Sequence, residues 1–153
     1  MAVDKHPMKL ALQDVVVDEA LTAETGWSNM RVQWIVTDGT FGAVHHVLGL
    51  TVFPPGAKHA VHRHPNAEEA QYLIKGSGLA RLGDVDIRQG PGDTVFVPKN
   101  EWHGFENDTD EEATMLWTYG GSASLEQAGY VRHEDERQPD GRSHAGDGRE
   151  PVT

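Results

Sequence analysis

Between Val32 and Tyr119 the chain is a succession of short β-rich runs cut by turn residues. Arg31 to Thr37 alternates apolar and polar side chains. Ala43 to Phe53 is a longer run, stopped by Pro54-Pro55-Gly56. Gln71 to Lys75, Leu79 to Leu82, Val85 to Arg88, Thr94 to Val97 and Ala113 to Tyr119 follow. Gly76-Ser77-Gly78, Gly83-Asp84, Gly90-Pro91-Gly92-Asp93 and Asn107-Asp108 separate them. Many short strands at close spacing, punctuated by Gly, Pro, Asn and Asp, predict an all-β sandwich or barrel. Helical periodicity is poor, apart from a short candidate at Ser124 to Ala128 with Ser122 or Ser124 as cap. The pattern divides the chain into an N-terminal arm over 1–30, a β-barrel over 31–130 and a polar tail over 131–153. Met8 to Asp18 reads as a further strand or as part of the arm. The tail holds almost nothing apolar and cannot bury enough surface to offset its ordering entropy, so it reads as a flexible or a loosely docked tail rather than a lid or partner-binding arm.

The 153 residues contain no cysteine, which excludes disulfides, thiolate zinc sites, iron–sulfur clusters and a cysteine nucleophile. Thirteen Lys and Arg stand against 24 Asp and Glu, a net charge of −11. Nucleic-acid binding that displaces counterions needs a basic surface, so no nucleic-acid partner is expected. No apolar run approaches the roughly 20 residues of a bilayer span, and Met1 to His6 does not resemble a secretory signal. The expected setting is the cytoplasm, with no membrane partner.

Nine histidines are present, and their placement matters more than their number. His62 and His64 are two apart, so on a strand both imidazoles project from one side. Glu69 follows after the Pro65-Asn66 turn, and His103 follows Pro98-Lys99-Asn100. Three imidazoles and a carboxylate suit divalent iron, manganese, nickel, copper or zinc. His59 lies three residues before the pair and reads as a rim base or a loop histidine. His45 and His46 are adjacent on a predicted strand, so one of them is expected to point inward. Trp34, Trp102, Phe105, Met115 and Trp117 supply bulky apolar surface. Trp102 and Phe105 flank His103 and are candidates for a pocket wall.

These residues resemble the two motifs of the cupin superfamily. Gly56, His62, His64, Glu69 and Gly76 stand at the spacing of the first motif. Gly92, Pro98, His103 and Asn107 stand at that of the second, with Asn100 where the pattern has Gly. Asn tolerates the left-handed turn conformation, so the departure is mild. The resemblance implies a double-stranded β-helix, a jelly-roll cupin barrel. It also implies one divalent metal ion per chain, iron first and manganese, zinc, nickel or copper as alternatives, held by His62, His64, Glu69 and His103. Glu68 competes with Glu69 for the carboxylate position, and the spacing to Gly76 favours Glu69. If Glu69 points inward, period two turns Gln71 inward as well, which makes it a candidate to orient substrate.

The family reading leads first to an Fe(II)-type dioxygenase acting on a small diketone, enol or phenol. The alternatives are a non-redox lyase, isomerase or polyketide cyclase, in which Glu68 or His59 moves protons, and a binding module without turnover. The run from His64 to Glu69 is similar to that of small bacterial polyketide-cyclase cupins. A homodimer is expected, with Met8 to Val17 as the candidate edge.

Overall fold

In the computed structural model, residues 1–137 are described. Eleven strands build two antiparallel sheets. They are β1 (Trp27–Ser28), β2 (Arg31–Val36), β3 (His46–Phe53), β4 (Lys58–Arg63), β5 (Glu68–Lys75), β6 (Gly78–Leu82), β7 (Val85–Gln89), β8 (Thr94–Val97), β9 (His103–Glu106), β10 (Ala113–Gly120) and β11 (Val131–Arg132). One sheet runs β1-β4-β9-β6-β7, with β11 beside β1 on the free edge of β4. The other runs β2-β3-β10-β5-β8. Apart from β6-β7 and β2-β3 the neighbours are not sequential, as in the expected jelly roll, and the inner faces of the two sheets enclose the core.

The core follows from period two. On β10, Ala113, Met115, Trp117 and Tyr119 are buried while the residues between them are not. They meet Val47, Phe53 and Leu73 from β3 and β5. Gly49 lies opposite Trp117, and a Cβ there would sit 2.1 Å from the indole, so only glycine lets the ring lie flat on β3. Trp117 Nε1 donates to Thr51 Oγ1 at 2.8 Å, which satisfies its one polar atom inside the core.

The turns carry the conformations that their residues favour. Asn100, the departure in the second motif, has φ of 67°, as the motif glycine would. Gly76 has φ of 75°, and a Cβ there would lie 2.4 Å from the Glu112 carbonyl oxygen. Asn107, also from that motif, is fully buried and serves the fold. Its Nδ2 donates to the carbonyls of Phe53 and Glu111, and its Oδ1 accepts from Thr109 N and Oγ1.

In three regions the structure corrects the sequence expectation or takes one of its alternatives. His45 and His46 are both exposed, because β3 begins only at His46 and the inward phase falls on Val47, Thr51 and Phe53. Met8 to Asp18 forms no strand: it makes a 3₁₀ turn at Leu12–Asp14 and one bridge, Val17 to Gln33, at the edge of β2. The segment expected as a tail starts ordered, with β11 paired to β4 and a helical turn, α3 (His133–Glu136), behind it. Arg63 and Arg132 hold this turn through Glu136, Glu134 and Asp135. The rest of that expectation, 138–153, lies outside the described residues. The short helices α1 (Asp38–Phe41) and α2 (Leu125–Ala128) complete the fold. The Ser124 side chain caps α2 by accepting from Gln127 N. Among the described residues no helix is long and apolar enough to cross a membrane.

Candidate metal centre

Both sheets contribute to one buried cluster. His62 on β4 lies directly across from His103 on β9, and His64 follows one residue beyond the end of β4. Glu69 comes from β5 in the facing sheet. His62, His64 and His103 are each 1% exposed and Glu69 is 7% exposed, so water is almost excluded. One ligand-capable atom from each of the four residues lies within 4.8 Å of all the others. Glu69 Oε2 is 2.8 Å from His103 Nε2 and 3.4 Å from His64 Nε2.

Each imidazole is oriented through its other nitrogen. His62 Nδ1 donates to Ala60 O at 2.7 Å, His103 Nδ1 to Glu101 O at 3.0 Å and His64 Nδ1 to Gly129 O at 2.6 Å. With the proton on Nδ1, the Nε2 atoms of His62 and His64 are left as acceptors facing the cluster, while His103 Nε2 donates to Glu69 Oε2 and would turn to a metal on losing that proton. A bare Nε2 opposite an anchored Nδ1 is the arrangement in which histidine binds a metal. Among the described residues, the Nε2 atoms of His62 and His64 have no hydrogen-bond partner. A buried polar atom without a partner is costly, and a divalent cation would satisfy both at once. The donor set therefore fits a divalent metal with imidazole and carboxylate affinity.

Burial and neighbouring charge set the protonation of the cluster. Burial penalises charge on His62, and the imidazoles of His59, His103 and His64 add to this, so its pKa falls well below the usual histidine value. Burial also opposes charge on Glu69 and His103. Their mutual attraction and hydrogen bond outweigh it, which lowers the carboxylate and raises the imidazole.

Gln71, turned inward with Glu69, is 4% exposed and donates from Nε2 to Glu69 Oε1 at 3.0 Å. Glu68 does not join the cluster. It is exposed on the outer face of β5, with its side chain against Gly120, because neighbours on a strand face opposite ways. This corrects the expectation that Glu68 moves protons at the site. His59 is half-buried on β4 rather than on a loop. Four residues of β4, His59 to His62, lie against three of β9, Phe105 to His103, so a bulge inserts one residue. The extra residue turns His59 and His62 to the same side, and their rings stack at 3.8 Å between centroids. Trp27 continues the column at 3.9 Å from His59. Trp102 does not wall the pocket. It lies outside the barrel beneath the Arg63 guanidinium and against His133.

Beside the cluster is a narrow cavity of about 20 Å³, lined by Trp27, Thr51, Phe53, Gln71, Phe105 and Trp117, among others. That is roughly the space of one water. Sequence reasoning missed Trp27 and Tyr130. Tyr130 lies 5.3 Å from Trp27 and 4.9 Å from His62, measured between ring centroids. Neither belongs to a strand long enough to show period two.

The Cupin domain family matches residues 49–119. Protein SchB of Streptomyces halstedii is 33% identical over 112 residues, covering 72% of this chain and 81% of its own. The tetracenomycin polyketide synthase protein TcmJ of Streptomyces glaucescens is 27% identical over 105 residues, covering 69% of this chain and 70% of its own. Among solved structures, the polyketide cyclase RemF of Streptomyces resistomycificus aligns with a TM-score of 0.67 at 22% identity, covering 82% of this chain and 84% of that one. A predicted oxalate decarboxylase from Thermotoga maritima aligns with a TM-score of 0.66 at 18% identity, covering 74% and 98%. Because the Cupin domain match spans both histidine motifs and the likeness to SchB runs through most of that protein, this chain belongs to the cupin family.

Proposed function

We propose that this cupin is a metal-dependent, non-redox enzyme that closes a ring in a substrate carrying several carbonyl groups, as a polyketide cyclase does. The observation that carries the reading is the convergence of three Nδ1-anchored imidazoles and Glu69 beside an aromatic-walled cavity. The names of TcmJ and of the polyketide synthase CurC of Streptomyces cyaneus, 29% identical over 100 residues, favour this substrate class over the dioxygenase expectation.

His62, His64, Glu69 and His103 would hold the metal. When bound, a divalent ion supplies Lewis-acid polarisation of a carbonyl oxygen. Gln71 fixes one oxygen of Glu69 and leaves the other facing the histidines. Phe53, Phe105 and Trp117 exclude water, which strengthens every charge effect inside the barrel. His59 lines the cavity in its neutral form and would take a proton there only from a carbon acid made strongly acidic by coordination to the metal, because burial weakens it as a base. The cavity is too small for a polyketide as it stands, so entry requires side chains to move. Met30, half-buried on its lining, is the most adaptable of them.

The test is anaerobic turnover. Protein reconstituted with zinc, manganese or iron is offered a poly-β-ketone, and products are read by mass spectrometry. Ring closure with loss of one water and no need for dioxygen supports the cyclase reading. Oxygen consumption coupled to product would replace it with the dioxygenase reading. Stoichiometric metal with ligand binding but no product would leave a binding module.

We also propose that two copies pair at the β2 edge. Leu12, Val16 and Val17 are exposed apolar residues of the segment that runs along the edge of β2, bridged to it at Gln33, and they present an apolar face beyond it. Light scattering should give twice the chain mass for the full chain and the single mass after deletion of residues 1–16. An unchanged dimer after deletion would overturn this assignment.

A further inference from the structure

The three imidazoles are not anchored alike. His62 and His103 donate from Nδ1 to carbonyls two residues back on the chain, so their own local backbone orients them. His64 alone depends on a distant carbonyl, that of Gly129, 65 residues away. Gly129 follows α2 in a strap that reaches β4 from the C-terminal side of the barrel. The strap is docked by several contacts. Asn66 N donates to Ala128 O at 2.9 Å and Asn66 Nδ2 to Gln127 O at 3.1 Å. Val131 and Arg132 pair with Arg63 and His62. Tyr130 Oη donates to Thr25 O at 3.0 Å, and Arg132 Nη1 to Glu24 O.

We infer that Gly129 is a positioning residue for the metal centre: its carbonyl, placed by the docked strap, sets the reach and tautomer of His64. The inference rests on the metal-centre reading. If the strap leaves β4, the His64 ring is free to rotate and the site keeps only His62, Glu69 and His103. The dependence is reciprocal. A ligand that needs an oriented His64 must stabilise the docked strap by the same free energy with which the strap favours the ligand. Glycine is required at 129 for two reasons. Its φ is +78° with ψ of 155°, a region closed to other residues. A Cβ there would also lie 2.9 Å from Pro65 Cδ, so a side chain would push the carbonyl off His64.

The experiment titrates metal-free protein with cobalt(II). It reads affinity by competition with a chelator and coordination by the visible ligand-field spectrum. Gly129→Ala is expected to weaken cobalt binding by about 10- to 100-fold, the range for lost outer-sphere support of a histidine ligand. Its spectrum should move toward that of His64→Ala, which a general loss of stability would not cause. Tyr130→Phe keeps the ring and removes the bond to Thr25 O, and is expected to weaken binding by a few-fold. In the parent, cobalt should slow hydrogen exchange at the Asn66 amide, a readout that stands even if Gly129→Ala does not fold. Parental affinity and spectrum in Gly129→Ala, or exchange at Asn66 unaffected by cobalt, would overturn the inference while the metal centre stands. A parent that binds no cobalt would overturn both.

Discussion

Gln71 Nε2 donates to Glu69 Oε1 at 3.0 Å, two residues along one strand and wholly inside the barrel. The carboxylate is thus divided in labour: Oε1 is held by the amide, and Oε2 faces His103 and His64. Replacing Gln71 by Leu keeps the volume and removes the donor. Glu69 Oε1 is then buried without a partner, and the carboxylate is free to turn. We expect metal affinity to fall by about tenfold or more with the fold retained. Chelator competition, alongside circular dichroism of the metal-free protein, checks this. Unchanged affinity would assign Gln71 to packing alone.

The metal-free protein should be most stable near pH 6.5. Burial holds the His59 and His62 pKa values well below their usual value of about 6.5. Their folded values are depressed, so their contribution is present above pH 6.5 and is lost as the pH falls below it. His103 has the opposite sign. Burial opposes its charge, but Glu69 raises it overall, so its contribution is full below pH 6.5 and is lost as the pH rises through the folded value. Thermal midpoints measured between pH 5 and 8.5 should therefore pass through a maximum. A bound divalent metal should add most stability above pH 6.5, where protons no longer compete for the imidazoles. A metal-free midpoint that rises steadily from pH 6.5 down to 5 would contradict the neutral burial of His59 and His62.

Much of this was readable in the chain because two regular signals carry it. Turn residues at short intervals mark the strands, and β8 spans Thr94–Val97 as expected from its flanking turns. Period two then turns Glu69 and Gln71 inward together and sends Glu68 out. The unreadable parts are those where a period breaks or a contact is remote. The bulge in β4 adds one residue between His59 and His62, and no turn residue announces it. Trp102 flanks His103 in sequence but lies on the opposite face from it, where Arg63 and His133 cover it. The polar composition after Tyr130 signals weak burial, and it hides that Arg132 anchors through backbone pairing and ion pairs. The link from Gly129 to His64 crosses 65 residues and involves a backbone atom, which no side-chain pattern records.

Gly49 should be among the least replaceable positions in the core. A methyl at that point would sit 2.1 Å from Trp117 Cζ2, and the ring is held on other sides by Trp34 at 5.1 Å and by the bond to Thr51. Gly49→Ala must therefore displace the indole or bend β3. Overpacking of this kind costs about 1–3 kcal/mol. Denaturant unfolding should show the loss, and Gly49→Ala combined with Trp117→Leu should recover part of it. No recovery in the double variant would mean that the strain lies in the backbone of β3 and not in the indole.

Asn107 separates motif from mechanism. It belongs to the same sequence motif as His103, yet its side chain makes all its bonds to the loop behind β9 and to β3. Asn107→Ala would leave the carbonyls of Phe53 and Glu111 and the amide of Thr109 without this partner, some of them buried. The expected loss is about 2–4 kcal/mol, from several buried polar groups at 1–3 kcal/mol each with partial rescue by water. Asn107→Asp should be at least as damaging, because a carboxylate has no hydrogen to give to two carbonyls and would place charge against them. Both variants should bind metal with parental affinity at temperatures where they remain folded, since none of the bonds of Asn107 reaches the cluster. Chemical denaturation gives the first quantity and chelator competition the second. A selective loss of metal affinity in a folded Asn107 variant would instead tie this residue to the centre through β9.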